Sequence, residues 1–346
     1  MLIFAYNRRA FLPDAINSVL SQLDCKMNVE VIVSTCFPVM GIKDKFQRGG
    51  IRFIEFPNDT KYGEQFVKTF DFSEGNIIFI LEDDDVFIPG KIKNVLQLFE
   101  SSDKLICVKD SMTVFHNLQE ITKVLEYSKS VPIKFKEIWL ESSYRTYRYL
   151  AKIRLWASPS SLAVKRDLIE SNRDFLNCSD PIDLILGMAI LNNGGLCVSI
   201  ETPLTAIRVH SSNDSMSFLS VCDRSQYNRY LRTLERYTSG MICAISKSTN
   251  MSFLAWILIR EYFAVQSLQN EAISGRSLKD FFRNGFAIPI KFMSEFEAEA
   301  NKSEINLREK FKWYLYFTRK MSWPFILSLL YFIRNKRLEK IFANKL

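Results

Sequence analysis

The sequence predicts an α/β protein in which a mostly parallel sheet is followed by a helical C-terminal part. Within the first hundred residues, short apolar runs alternate with amphipathic stretches, which is typical of strands and helices in turn. Past residue 222 the spacing of apolar residues is helical throughout. A chain of 346 residues is long enough for two units, and we predict them at 1–220 and 221–346.

The first half of the chain contains four predicted strands, each rich in β-branched or aromatic residues. They are LIFAY (2–6), VEVIVS (29–34), IRFIEF (51–56) and NIIFIL (76–81). Stretches with helical spacing lie between them at 11–23 and 62–73. Alternation at this interval predicts parallel strands with helices on both faces, and such sheets bind ligands beyond the carboxyl ends of their strands.

Further elements follow along the chain, although residues 105–160 show no clear period and no internal repeat is present. In chain order they are a helix (90–102), a strand feeding a helix (159–172), a helix closed by glycine (180–195), an extended segment (196–210) and long helices (251–268 and 308–342).

Cysteine and histidine usage excludes two kinds of site. The seven cysteines are scattered and form no C-x-x-C pair, and the chain has only two histidines. This favours free thiols in a reducing compartment over a disulfide frame, and it excludes a histidine-rich metal centre. Because Met1 runs straight into the first apolar strand without a signal-peptide pattern, we expect a cytoplasmic protein.

Four acidic side chains, Glu82, Asp83, Asp84 and Asp85, directly follow the fourth predicted strand. Like charges this close raise one another's protonation cost, so a counter-charge is expected. Hard cations such as Mg²⁺ and Mn²⁺ prefer carboxylate oxygens and are often held by carboxylates together with substrate phosphates. A solvated acidic turn is the alternative, but a position at the ligand edge of a parallel sheet favours the metal.

Three segments together resemble the family 2 glycosyltransferases, which are inverting nucleotide-sugar enzymes with a GT-A fold. IFAYNRRAFLPDAINSVLSQ resembles the family's opening strand, turn and first helix. PNDTKYGEQFVKTFDFSEGNIIFILEDDDVFIPGKI is similar to its Asn–Gly segment, strand and D-x-D-D motif, and IETPLTAIRVHSSNDS resembles its PL..YR.H..S segment. The landmarks occur in the family's order, and that order is more specific than any single piece.

The resemblance implies a metal site built from Asp84 and Asp85 and completed by His210. Glu82 matches the first acid of the family motif and Asp83 its variable position, so these two are assigned to the donor side. Because the match can slip by one residue, the four acids are treated as one group. The alternative for His210 is a histidine packed in a loop.

The same resemblance implies a nucleotide site at Tyr6, Asn7 and Lys68, with the Tyr6 ring stacked on the base and a UDP-sugar as the expected donor. The alternatives are a core tyrosine and a helix-surface lysine. Where the family has an aspartate that reads the base, this chain offers Ser34 and Thr35. The base preference therefore stays open.

Inverting transfer needs a general base to deprotonate the acceptor hydroxyl, and a carboxylate suits that role. SDPIDLILGMA resembles the family's ED.DL..R stretch, in which Asp180 falls on the glutamate, Pro181 replaces the aspartate and Asp183 lies three residues on. Asp180 could instead cap the helix, with Pro181 at its first position. Gly187 stands where the family often has arginine, which leaves the donor phosphate contacts open.

Two other enzyme classes fit poorly. A haloacid dehalogenase phosphatase needs Thr or Val where Phe87 lies, and an ATPase needs a G-x-x-x-x-G-K-[ST] loop that the sequence lacks. The competing reading from another class is a catalytically inactive, glycosyltransferase-like protein that binds at a membrane. Retention of the acidic run, His210 and Asp180 favours an enzyme that transfers sugar to a glycan or lipid-linked acceptor.

The last 46 residues hold eleven Lys and Arg against three Asp and Glu. Their apolar stretch, 321–333, is too short to cross a bilayer, which needs about 20 residues in a helix. Flanking basic residues, with Trp313, Tyr314, Tyr316 and Trp323 nearby, are typical of an interfacial helix on an anionic membrane. The alternative is packing on the catalytic domain or a second subunit, whereas a nucleic acid partner is disfavoured because no binding module is present.

Overall fold

The computed structural model describes residues 1–25, 27–46, 49–117, 119–120, 122, 132–178, 181–210, 224–247, 251–274 and 278–320. The chain divides into two compact units. The first comprises Met1–Glu141 and Arg148–Ser211, and the second comprises Ser142–Tyr147 and Ser212–Leu346. The boundary predicted near residue 220 lies outside the described residues.

Nine strands of the described residues form one sheet in the first unit. They are β1 (Leu2–Ala5), β2 (Val31–Thr35), β3 (Ile51–Glu55), β4 (Ile77–Glu82), β5 (Val86–Phe87), β6 (Leu105–Phe115), β7 (Phe135–Trp139), β8 (Leu162–Lys165) and β9 (Leu196–Arg208). The order across the sheet is β3-β2-β1-β4-β8-β6-β9-β5, and β7 pairs with β9.

Helices occupy much of the remaining described chain. They are α1 (Leu12–Leu20), α2 (Met40–Phe46), α3 (Tyr62–Asp71), α4 (Lys91–Ser101), α5 (Tyr144–Lys152), α6 (Arg166–Ser171), α7 (Arg173–Leu176), α8 (Ile182–Asn193), α9 (Arg224–Lys247), α10 (Phe253–Ser274) and α11 (Leu278–Lys302). Residues 307–320 are helical as well.

The sheet positions one edge for ligand binding. Strands β3, β2, β1 and β4 are mutually parallel, with Leu2 paired to Ile32 on one side and to Ile80 on the other. β6 and β9 are also parallel, while β8 runs antiparallel to both β4 and β6. The predicted fold, a mostly parallel α/β sheet with a helical C-terminal part, is confirmed. The turns after β1, β2 and β4 meet at one edge because their strands are parallel.

Apolar periodicity explains how the helices attach to this sheet. Leu12, Ala15, Ile16 and Val19 of α1 lie on one helical face and are buried in the core of the first unit. In α8 every residue from Ile182 to Leu191 except Asp183 is buried, so this helix shows no apolar stripe in the sequence. All four residues of β1 and all five of β2 are buried, as expected for central strands of a parallel sheet.

The second unit has an aromatic core around Trp313, whose ring contacts Phe253, Phe296 and Phe317. Trp313 is fully buried, so the predicted interfacial role of this tryptophan is wrong. Trp323 lies outside the described residues. Within the part of the chain that the structure describes, no helix has both the length and the apolar character required of a membrane span.

The cysteines are of two kinds. Cys25, Cys36, Cys107 and Cys197 are free thiols, whereas Cys178 and Cys243 are disulfide-bonded. The expectation of free thiols throughout is therefore wrong for these two residues. Isolated cysteines carry no pairing signal in a sequence, because pairing depends on which side chains the fold brings together.

Candidate active site

The acidic run forms a tight turn between β4 and β5, closed by a hydrogen bond from the Asp85 N–H to the Glu82 carbonyl (3.2 Å). Asp83, Asp84 and Asp85 are almost fully buried. Glu82, Asp84 and Asp85 each offer a carboxylate oxygen, and these three oxygens lie within 4.8 Å of one another. Such a cluster has the oxygen ligands and the spacing that could hold a divalent cation.

Burial and repulsion between carboxylates raise the pKa values of Glu82, Asp83 and Asp85. Burial, reinforced by the charge of Asp84, raises the pKa of Asp85 to about 8. The same two causes hold the pKa of Glu82 well above its ordinary value. Burial raises the pKa of Asp83 to about 6 although Arg8 opposes the shift. Without a cation, these carboxyl groups hold protons at a pH where isolated carboxyl groups have lost them.

Arg8, in the turn after β1, supplies a counter-charge. Its backbone N–H donates to the Asp83 carboxylate (3.2 Å), its guanidinium pairs with Asp84, and it lies 3.6 Å from a second Asp83 oxygen. The Tyr6 backbone N–H also donates to Asp83. Sequence reasoning missed Arg8, although β1 and β4 are neighbours and the turns that follow them must be adjacent.

Arg208, at the end of β9, holds the acidic turn from the other side. Its backbone N–H donates to the Asp85 carboxylate (3.3 Å) and its Nε donates to the Asp84 carbonyl (3.1 Å). The guanidinium lies between the rings of Phe11 and Phe115, with its carbon 4.5 Å from each centroid. These contacts fix the acidic turn in place. Sequence reasoning missed this arginine too.

His210 reaches the cluster directly. Its Nε2 lies 2.9 Å from an Asp84 oxygen, and its ring packs beside Phe11 at 4.9 Å between centroids. The structure therefore brings the three residues that the resemblance assigned to the metal, Asp84, Asp85 and His210, to one place. Glu82, which the resemblance assigned to the donor, is the third acid of the cluster.

The three residues predicted to bind the nucleotide lie in two different parts of the first unit. Tyr6 and Asn7 are exposed at the end of β1, and the Tyr6 side chain is 37% accessible, which excludes the core alternative for this tyrosine. Lys68 lies on the exposed face of α3, where its ammonium pairs with Glu64 at 2.6 Å. This is the helix-surface arrangement, and the pairing partner of Lys68 is not a residue of the acidic cluster.

The two residues that stand where the family has its base-reading acid are buried in this protein. Ser34 and Thr35 are fully buried, and the Gln65 amide donates to the Ser34 hydroxyl at 2.9 Å. The Thr35 hydroxyl donates to the Phe37 carbonyl at 2.9 Å. Neither hydroxyl lies at the surface, so neither residue is placed to read a base.

One of the two candidate bases can be located. Asp183 is in the first turn of α8, where its carboxylate accepts a hydrogen bond from the Leu184 N–H (2.8 Å). Of the charges that act on the pKa of Glu82, that of Asp183 has the smallest effect, so the two carboxyl groups are within electrostatic range of each other. Asp180 lies outside the described residues, and Gly187 is buried on α8.

Two comparisons relate this chain to known proteins. Residues 1–170 match the model of Glycosyl transferase family 2. A crystal structure of S. aureus TarS residues 1–349 is similar, with a TM-score of 0.53, 12% identity, and coverage of 84% of this chain and 79% of that one. Its complex with UDP-GlcNAc gives a TM-score of 0.55 at the same identity and coverage.

A longer TarS structure gives a TM-score of 0.52 at 13% identity, covering 85% of this chain, which spans about half of that chain (48%). At such low identity these likenesses show the GT-A fold alone. No protein of curated function matches the sequence.

Proposed function

We propose that this glycosyltransferase, whose residues 1–170 match the model of Glycosyl transferase family 2, catalyses an inverting, metal-dependent transfer from a nucleotide-sugar, with a UDP-sugar as the donor. The observation that carries this proposal is the cluster of Glu82, Asp84 and Asp85, whose oxygens lie within 4.8 Å at the carboxyl edge of the sheet. Mn²⁺ or Mg²⁺ held there, with His210 beside Asp84, would offset charge on the departing diphosphate.

A UDP-sugar is proposed because TarS, which shares the fold, is known in complexes with UDP-GlcNAc and with UDP. The exposed ring of Tyr6 lies at the same edge as the acidic cluster and can stack on a nucleobase. Arg8 already pairs with Asp83 and Asp84. If a cation were held by these carboxylates, the Arg8 guanidinium could pair with a donor phosphate instead.

In the proposed reaction, a carboxylate takes the proton of the acceptor hydroxyl while the hydroxyl oxygen attacks the anomeric carbon. The bond between the sugar and the diphosphate breaks, and the diphosphate leaves with the electron pair. Because it leaves from the face opposite to the attack, the configuration at the anomeric carbon is inverted. Asp183 fits the role of base because it is a carboxylate in the first turn of α8 and within electrostatic range of Glu82. Asp180 is the other candidate.

The acceptor is proposed to be a glycan or lipid-linked hydroxyl, with the enzyme peripheral on the cytoplasmic face of a membrane. Leu307, Phe311 and Leu315 recur every four residues on the helix 307–320 and are 83%, 62% and 58% exposed. Arg308 and Arg319 are exposed on the same helix. An exposed apolar stripe beside basic residues is typical of a helix that binds an anionic lipid surface, and the alternative partner is a second subunit.

The disulfide-bonded Cys178 and Cys243 weigh against a reducing compartment, and the four free thiols are consistent with one. Alkylation of the thiols in intact cells, before and after reduction, shows whether the protein is in a reducing or an oxidising compartment. Two additional thiols exposed by reduction would argue against the proposed location.

The function itself is tested by calorimetric titration of the purified protein with UDP, in MnCl₂ and in EDTA, followed by a screen of nucleotide-sugars for nucleotide release. We expect UDP binding that requires the metal, and release from one donor that accelerates with an acceptor. GDP and CDP serve as matched controls for the base. Metal-dependent binding without release from any donor would favour the inactive binding protein, and metal-independent binding would contradict the proposed metal site.

A further inference from the structure

A lysine without solvent exposure lies behind the acidic turn. Lys91, at the start of α4, donates from its Nζ to Asp110 (2.6 Å), to the Thr205 hydroxyl (2.6 Å) and to the Ser160 carbonyl (2.7 Å). Three donors therefore meet three acceptors. Lysine is almost never fully buried unless it is paired. Through the Ser160 carbonyl, this network fixes the backbone of Ser160.

A second buried lysine holds the same short segment, the 3₁₀ turn Pro159–Ser161 that precedes β8. The Lys109 ammonium donates to the Ser161 hydroxyl and to the Ala157 carbonyl (3.3 Å). Ser158, which leads into the turn, has a φ of +59°, a value that non-glycine residues seldom take. The turn is thus held by tertiary contacts against its local preference.

The hydroxyl of Ser160 connects this turn to the acidic run. It accepts a hydrogen bond from the Glu82 N–H (3.0 Å) and donates to the Asp85 carboxylate. Ser160 is fully buried. The antiparallel pairing of β4 with β8 runs from Ile77 to Phe79, and Ser160 continues the contact to the end of β4. A single side chain therefore links the first and the last acid of the cluster.

We propose that Ser160 is a positioning residue, which fixes the backbone of Glu82 and the carboxylate of Asp85 in the arrangement needed by a divalent cation, while Lys91 fixes Ser160. The proposal rests on the metal-dependent function proposed above. Its physical basis is that groups bonded to metal ligands hold those ligands in geometry, and their loss typically lowers metal affinity about 10-fold to 100-fold.

The test compares Ser160→Ala with Ser161→Ala in the full chain. Both substitutions remove one fully buried hydroxyl from the same turn, but only the Ser160 hydroxyl contacts the acidic run. The Ser161 hydroxyl bonds to Lys109 and to the Ser158 carbonyl (2.8 Å). The measurements are the Mn²⁺ dissociation constant by calorimetry, the unfolding midpoint, and kcat and KM at saturating and limiting Mn²⁺.

We expect Ser160→Ala to weaken Mn²⁺ binding about 10-fold or more, with activity largely restored at high Mn²⁺, while Ser161→Ala keeps the wild-type affinity despite a similar loss in unfolding midpoint. Equal Mn²⁺ affinities in both variants and wild type would overturn the positioning role. If wild-type protein shows no Mn²⁺ binding, the proposed function fails instead.

Ser160→Cys keeps the size and a weak donor and covers the case in which Ser160→Ala does not fold. We expect its Mn²⁺ affinity to lie between those of wild type and Ser160→Ala. A Mn²⁺ affinity that falls as much in Ser161→Ala as in Ser160→Cys would likewise count against the proposal.

Discussion

Two regions, one in each unit, contain unfavourable residues of opposite kinds, since the acidic turn after β4 buries charge and the helix 307–320 exposes large apolar side chains. Around the end of β4, Asp83, Asp84 and Asp85 are almost fully buried. On the helix 307–320, Leu307, Phe311 and Leu315 are exposed on successive turns. Both arrangements are unfavourable by themselves, and each becomes favourable with a partner of the matching chemistry.

A buried carboxylate alone does not mark a site, as Glu261 in the second unit shows. It accepts hydrogen bonds from the hydroxyls of Tyr147 (3.0 Å) and Tyr316 (3.3 Å), and it lies 3.5 Å from the Lys320 ammonium. These partners from the second unit satisfy the hydrogen-bonding capacity and the charge of the Glu261 carboxylate. The first unit instead gathers three mutually repelling carboxylates within 4.8 Å, so it is the clustering of acids, and not burial, that indicates a cation.

The largest effect expected from this contrast is in turnover. Asp84→Ala should lower kcat by about 10³-fold or more, because loss of the metal removes several kcal/mol of transition-state stabilisation. Its unfolding midpoint should stay close to the wild type, because one of several repelling buried charges is removed.

Glu261→Gln is the matched control in the second unit. It should keep its turnover while losing about 1 to 3 kcal/mol of unfolding free energy through disrupted hydrogen bonds. Steady-state kinetics and chemical denaturation of both variants measure the two effects. Near-normal activity of Asp84→Ala would overturn the site assignment.

The next effect concerns the general base. In the proposed reaction, either Asp183 or Asp180 is the base that takes the proton of the acceptor hydroxyl. Replacing that residue by asparagine should lower kcat about 10²-fold or more and leave donor binding unchanged. The other variant should keep its kcat and most of its stability, because asparagine caps a helix about as well as aspartate. Comparing kcat with UDP affinity in the two variants identifies the base, and full activity in both would place the base elsewhere.

A smaller effect is the pH dependence of metal binding. Asp85 has its pKa raised from 3.8 to about 8, so between these pH values the folded protein holds a proton that the unfolded chain has lost. The free energy of unfolding of the metal-free protein therefore falls as pH rises through this range. Metal ligation needs the ionised carboxylate, so apparent Mn²⁺ affinity should rise with pH, by up to about tenfold per unit for one displaced proton.

Thermal unfolding with MnCl₂ and with EDTA, at about pH 6 and about pH 8, measures this linkage across the range set by Asp83 and Asp85. The stabilisation by Mn²⁺ should be larger at the higher pH. Asp85→Asn should flatten the dependence, because its amide does not titrate. A metal stabilisation that is equal at both pH values would contradict the assignment of Asp85.

Local pattern was enough to predict much of the first unit. β1 to β4, α1 and α3 lie where the apolar periods indicate them, because each repeats the period of its own secondary structure. β6 could not be found in this way. Its pairing with β9 contains register shifts near Ser111, and such irregularities interrupt the alternation that identifies a strand.

The candidate site could be predicted only in part. The acidic run and His210 carry recognisable spacing, whereas Arg8, Ser160 and Lys91 gain their roles from contacts 69 to 78 residues away in sequence. Composition gives no signal for such contacts. Knowing that β1 lies beside β4 is sufficient to place Arg8 near the acids, but the 3₁₀ turn of Ser160 is not evident from any periodic pattern.

The smallest expected effect is at the exposed stripe of the second unit, where the comparison can be sharpened within that unit. Phe286 and Ile290 form another exposed apolar pair, on α11, with 55% and 68% exposure. If exposed apolar area alone caused membrane binding, both stripes would contribute equally. The two helices differ in net charge, because residues 307–320 hold five Lys and Arg against one Glu, whereas α11 holds four residues of each sign. Each uncompensated basic residue near an anionic surface contributes about 1 kcal/mol.

We therefore expect the double variant Phe311→Ser and Leu315→Ser to reduce sedimentation with phosphatidylserine vesicles several-fold, and the double variant Phe286→Ser and Ile290→Ser to change it little. Binding should fall at high salt, because the surface charge is screened over about 8 Å at physiological ionic strength. Equal binding to neutral and anionic vesicles would contradict the charge argument. Loss of a dimer in light scattering by the first variant, without vesicle binding by the wild type, would instead assign the stripe to a second copy of the chain.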